Sequence, residues 1–170
     1  MSRYNELCEL YTESRMEFSR YQEACMHFLE NLIQGLIEDF DLPKESVQIF
    51  PVLVKPDPEK KYTVREAMLL AQDRFWHIGI QITLVCKTCE TDPVQPILIN
   101  LGVKKDKNFF RLKTSSEKEP FKISEATPEN LKFFYDDIFD LIKGYLGSSI
   151  HVLLENEHTV CRIGFQRDCE

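Results

Sequence analysis

The chain has 170 residues, 43% of them hydrophobic and 29% charged, which suffices for one domain with its own core and excludes wholesale disorder. Its net charge of −7 opposes generic attraction to nucleic acid or anionic lipid, since both need a positive field. Apolar runs fall well short of the ~18–20 residues that span a bilayer, and the opening Met1-Ser2-Arg3-Tyr4-Asn5-Glu6 lacks the basic-then-apolar pattern of a secretion signal. These features predict a cytoplasmic protein with no membrane contact. In that compartment the six cysteines (Cys8, Cys25, Cys86, Cys89, Cys161 and Cys169) are expected as reduced thiols.

The acidity is local. Residues 1–41 carry three basic and nine acidic side chains, and the other 129 residues are nearly balanced. That segment contains no proline, and Tyr4, Leu7, Tyr11, Ser14, Phe18, Tyr21, Cys25, Phe28 and Leu32 recur at alternating spacings of three and four. This periodicity predicts a long amphipathic helix over residues 1–41, with the stripe packed along one face. Unbroken, it would run ~54 Å, longer than the ~40 Å breadth of a compact chain of this size. Either the helix bends, with Gly35 the natural place, or one end projects and presents aromatic residues to a partner. Tyr11, Phe18 and Tyr21 are the interaction residues this second case selects. Heptad spacing persists for about four repeats, but Ser14 and the tyrosines are poor seam residues for a coiled coil.

Residues 46–126 read as a sheet with one short helix. Val47 to Val54 is strand-like but interrupted by Pro51, which pushes it towards a sheet edge or a bulge. Thr63 with Glu66 forms a capping box that opens a short helix to about Asp73. From Trp76 to Val85, Ile78, Ile80, Ile82 and Leu84 alternate with His77, Gly79, Gln81 and Thr83, a half-buried strand. A second strand carries Ile97, Ile99, Leu101 and Val103 inward, then turns through Lys104–Asn108 into Phe109–Lys113, giving an antiparallel meander. Phe121–Ile123 is one more short strand. Thr127-Pro128-Glu129 starts a helix expected over residues 127–147, with Gly147 as its stop, and residues 149–166 read as a closing hairpin. The whole is one α+β domain over residues 1–170, with both long helices on one face of the sheet and His77, Gln81, Thr83, Asn100 and Arg111 on the other. In element order it is similar to the small acidic secretion chaperones, a likeness of topology without a motif, which implies a dimer that holds partners on its surface.

Chemistry-bearing patterns are sparse. Cys86-x-x-Cys89 is half of a zinc site, and Cys161, Cys169 and His158 do not supply a second knuckle, so no metal or other cofactor is expected. His77 and His151 each open an alternating stretch, as in the phosphodiesterase superfamily with two His-x-Thr motifs. The hydroxyl two positions later is replaced by Gly79 and Leu153, which removes a phosphate donor. Asp136, Asp137 and Asp140 are explained as well by a solvated helix face as by a divalent ion. No glycine-rich phosphate loop or activated nucleophile is present in the sequence. The basic hairpin, with Lys104, Lys105, Lys107, Phe109, Arg111 and Lys113, has the cations and ring of an anion or single-strand site, and equally the charged tip that guards a sheet edge. Protein interaction with self-association therefore ranks first, a nucleic-acid or nucleotide-phosphate module second, and a small hydrolase third.

Overall fold

The computed structural model describes residues 2–85, 94–114, 119–152 and 161–163. The first helix, α1 (Arg3–Asp39), is continuous over 37 residues, ~55 Å at 1.5 Å per residue. The Ser2 hydroxyl caps it by accepting from the Asn5 backbone N–H at 3.3 Å. Gly35 does not break it. The glycine instead makes room for Tyr135, whose hydroxyl would collide with any Cβ at position 35 and donates to the Leu32 carbonyl at 3.0 Å. That phenol is buried between the helices, and burial pushes its pKa well up.

A 3-10 turn (Lys44–Ser46) leads to β1 (Val47–Phe50), which ends where Pro51 withdraws its N–H. The capping box at Thr63 and Glu66 forms as the spacing requires, with both reciprocal hydrogen bonds present. The helix it opens, α2 (Val64–Ala67), is one turn long and stops far short of Asp73. The reason is tertiary: β2 (Leu69–Leu70) pairs with the start of β3 (Trp76–Leu84), and residues between them form the connecting turn. Next come β4 (Gln95–Asp106), β5 (Phe109–Lys113) and β6 (Phe121–Ile123). At the two-residue β4–β5 turn, Lys107 takes the left-handed conformation (φ 55) that a primed hairpin turn requires at its first position.

The sheet runs β1–β3–β4–β5–β6, all antiparallel, with β2 also on β3. Its inner face carries Ile78, Ile80, Ile82, Ile97, Ile99, Leu101, Val103 and Leu112 against Cys25, Phe28, Leu29, Leu32 and Leu36 of α1. Leu131, Phe134, Tyr135 and Ile138 of α3 (Pro128–Val152) complete that core. Lys132 of α3 binds Asp39 at 3.1 Å and Asp136 at 3.0 Å, fastening the end of α1 to α3.

The C-terminal region differs from the expectation of a helix over residues 127–147 and a hairpin over residues 149–166. The helix runs through Gly147 to Val152. A glycine ends a helix by turning left-handed, and Gly147 stays in the right-handed run, where it costs only ~1 kcal/mol relative to alanine. Ile150 to Val152 are thus helical, and Cys161–Ile163 (β7) lies parallel to β4, Ile97 opposite Cys161, not in a hairpin with them. A short apolar run such as Ile150-His151-Val152 fits either helix or strand by periodicity alone.

Candidate interaction helix and polar sheet face

The stripe on α1 meets two environments. From Cys25 to Leu36 it is core, whereas residues 2–20 are exposed on every side. Tyr4, Leu7 and Tyr11 are 73%, 65% and 67% exposed, and Leu10, beside the stripe, is 56% exposed. Of the three interaction residues read from sequence, only Tyr11 is fully in this projecting half. Phe18 sits at the boundary, its ring 6.1 Å from that of Trp76 and flanked by the Arg15 guanidinium at 5.7 Å. Tyr21 belongs to the body. Burial, together with the neighbouring Cys25 thiol, pushes its pKa to about 12, and the backbone N–H of Lys105 offsets this only in part. Burial likewise raises the Cys25 thiol, which lies in the core. The Trp76 indole N–H is buried under the boundary without an acceptor among the described residues.

The second candidate surface is the outer face of the sheet. The register puts Gln48, His77, Gln81, Thr83, Asn100, Lys104, Arg111 and Lys122 on it, opposite the helices. At its centre, His77, Gly102 and Lys113 are directly opposite one another on β3, β4 and β5. Gly102 has no side chain to keep its neighbours apart, and a Cβ there would meet both His77 and Lys113 at 3.3 Å. Both reach Asp73: His77 Nε2 lies 3.0 Å from each carboxylate oxygen and Lys113 Nζ 3.0 Å from one. The turn that carries Asp73 is closed by Arg74 in the left-handed conformation (φ 64), and the Phe75 N–H donates back to Asp73 Oδ1 at 3.1 Å. Burial opposes ionisation of Asp73, but the bonds from His77, the Phe75 N–H and Lys113 outweigh it and hold its pKa at about 2. An ionised carboxylate can only accept, so His77 Nε2 is the donor in this contact. His77 is on the outer face, as its alternation suggests, but at 6% exposure it is buried and satisfied there and not open to solvent. Gln81 is bonded along the strand to Thr83 Oγ1 at 3.3 Å.

The basic hairpin divides. Lys105 faces the helix side, opposite Phe110, which stacks on Phe28 of α1 at 4.2 Å. Lys107 is at the exposed tip, and Lys113 is engaged by Asp73. Lys104 and Arg111 remain on the outer face, Arg111 bonded to Asp106 at 2.8 Å. The structure adds a cation that sequence reading missed. Lys122 of β6 stands opposite Arg111, so Lys104, Arg111 and Lys122 form a row across three strands, and Arg111 and Lys122 each lie 5.8 Å from the Phe109 ring centre. Only the β5–β6 pairing, across the polar segment 114–120, brings Lys122 there.

Cys86 and Cys89 lie outside the described residues, as do His158 and Cys169. Among the described residues no group of three or more His, Cys, Asp or Glu side chains is placed to hold a metal ion, and no helix is long and apolar enough to cross a membrane. Compared with known proteins, the chain matches no family model, no curated protein and no solved structure.

Proposed function

We propose that this chain is a non-enzymatic interaction protein, adaptor- or chaperone-like, that self-associates and engages protein partners through the projecting half of α1. One observation supports this reading above the others. At 3.6 residues per turn, Tyr4, Leu7 and Tyr11 lie on the same side of the helix as Cys25, Phe28, Leu32 and Leu36, yet only the second set is covered by the body. A free helical segment of this length is marginal in water, and a row of large exposed apolar side chains marks an interaction site. A covering partner removes both liabilities.

Light scattering at micromolar concentration tests it. The wild-type chain is expected as a dimer, and Leu7→Glu combined with Tyr11→Glu is expected as a monomer with an unchanged melting midpoint in dilute solution. A wild-type monomer at every concentration would contradict self-association.

The row Lys104–Arg111–Lys122 supports a second reading, a small nucleic-acid or nucleotide-phosphate module. Like charges directly opposite on adjacent strands repel; among the described residues Asp106 pairs with Arg111, and an anion laid along the row would relieve the repulsion further. In that case a single-stranded oligonucleotide binds at low salt, with an affinity that falls steeply as salt rises. Lys104→Glu with Lys122→Glu abolishes that binding. Absence of wild-type binding at low salt removes this reading.

A further inference from the structure

The docking role proposed for the projecting half of α1 leaves open which way a second helix lies on it, and the body restricts the choice. The exposed stripe and the buried stripe share one side of one continuous helix. A parallel second helix seated on the exposed stripe would therefore run into the sheet that covers Cys25 to Leu36. An antiparallel helix leaves in the opposite direction and carries its own body away. Phe18 already rests on Trp76 and Tyr21 is drawn into the body, so the stripe open to a partner is Tyr4, Leu7, Tyr11 and Ser14.

We propose that two copies of this chain pair antiparallel along residues 2–17 of α1, with Tyr4 opposite the partner's Ser14 and Leu7 opposite the partner's Tyr11. This inference rests on the docking reading and adds the partner and the register. Each layer sets a bulky side chain against a smaller one, and Ser14, a poor residue for a parallel seam, becomes the pocket for a tyrosine. The flanks of the stripe agree independently. In an antiparallel pair each flank faces its own counterpart, so a two-fold axis at Glu9 brings Leu10 against the partner's Leu10, which covers the exposed side chain that the stripe leaves aside. The same axis sets Arg3 against the partner's Glu17, twice. On the other flank it sets Cys8, an exposed free thiol, against the partner's Cys8. Four large apolar side chains per copy make a small interface, on the order of 1,000 Å² in total, in keeping with a dimer that forms at micromolar concentration and dissociates on dilution.

The full chain provides the test. Copper–phenanthroline in air, which takes two electrons and two protons from a pair of adjacent thiols, is expected to give a covalent dimer whose peptide map contains Cys8 joined to Cys8. Cys8→Ser should lose this product while light scattering still finds the dimer. Arg3→Glu and Glu17→Arg should each weaken the dimer severalfold, and the two together should restore it, because the exchanged charges meet only in the antiparallel register. A dimer by light scattering with no Cys8 cross-link and no rescue would overturn the register and leave the docking reading standing. A wild-type monomer would overturn both.

Discussion

Residues 25–36 and residues 4–18 of α1 share one helix and one apolar stripe, but they differ in what holds them helical. In the first segment Cys25, Leu29, Leu32 and Leu36 are fully buried, so packing alone accounts for the helix. In the second, the Ser2 cap, good helix formers and continuity with an already nucleated helix act without any burial. The same side-chain pattern is therefore core in one place and surface in the other. What separates them is the reach of the sheet, which meets α1 as far as Trp76, at the start of β3, beneath Phe18.

The largest expected effect bears directly on that difference. Leu32→Ala should cost about 2–5 kcal/mol of stability, as for other fully buried leucines. Leu7→Ala should stay within about ±0.5 kcal/mol in solutions too dilute for pairing. Urea denaturation of both variants measures this, and similar losses from the two would erase the distinction between the halves.

Gly35→Ala comes next, because its sign separates helix propensity from packing. Propensity alone would stabilise by ~1 kcal/mol, whereas collision of the new methyl with Tyr135 should destabilise by about 1–3 kcal/mol. A more stable variant in thermal unfolding would mean that α1 and α3 do not approach this closely over the core half.

The smallest effect belongs to the body and should leave α1 pairing untouched. The Asp73 pKa is depressed from 3.8 to about 2 in the folded chain, so its contribution is complete above roughly pH 4 and is lost as pH falls from 4 towards 2. Its carboxylate is 37% exposed, so screening reduces the contribution to about 1 kcal/mol. Asp73→Asn should flatten that acid limb of stability against pH. An unchanged limb would show that His77 and Lys113 do not hold the carboxylate as the geometry indicates.

Much of the architecture could be read from periodicity. Ile78, Ile80 and Ile82 announce β3 and its inner face by strict alternation, and Thr63 with Glu66 announces a cap. The misses share a cause, since each depends on which neighbouring element takes up a short apolar run. Leu69 and Leu70 look helical until β3 recruits them, and Ile150 to Val152 look strand-like until α3 absorbs them. The apolar stripe of α1 was visible, but not where cover ends, because Tyr11 and Tyr21 look alike in sequence and only Tyr21 has the sheet beside it. His77, Asp73 and Lys113 come together through the unoccupied space above Gly102, a relation between four separate elements that no local motif encodes.

Hydrogen exchange along α1, recorded over a range of protein concentrations, tests the docking role of the projecting half most directly. Amides of residues 25–36 should be strongly protected at every concentration. Those of residues 3–17 should exchange rapidly in dilute solution, as expected of an uncovered helix, and gain protection as concentration rises and the second copy covers the stripe. Protection of residues 3–17 that matches residues 25–36 in dilute solution, or that never changes with concentration, would contradict it.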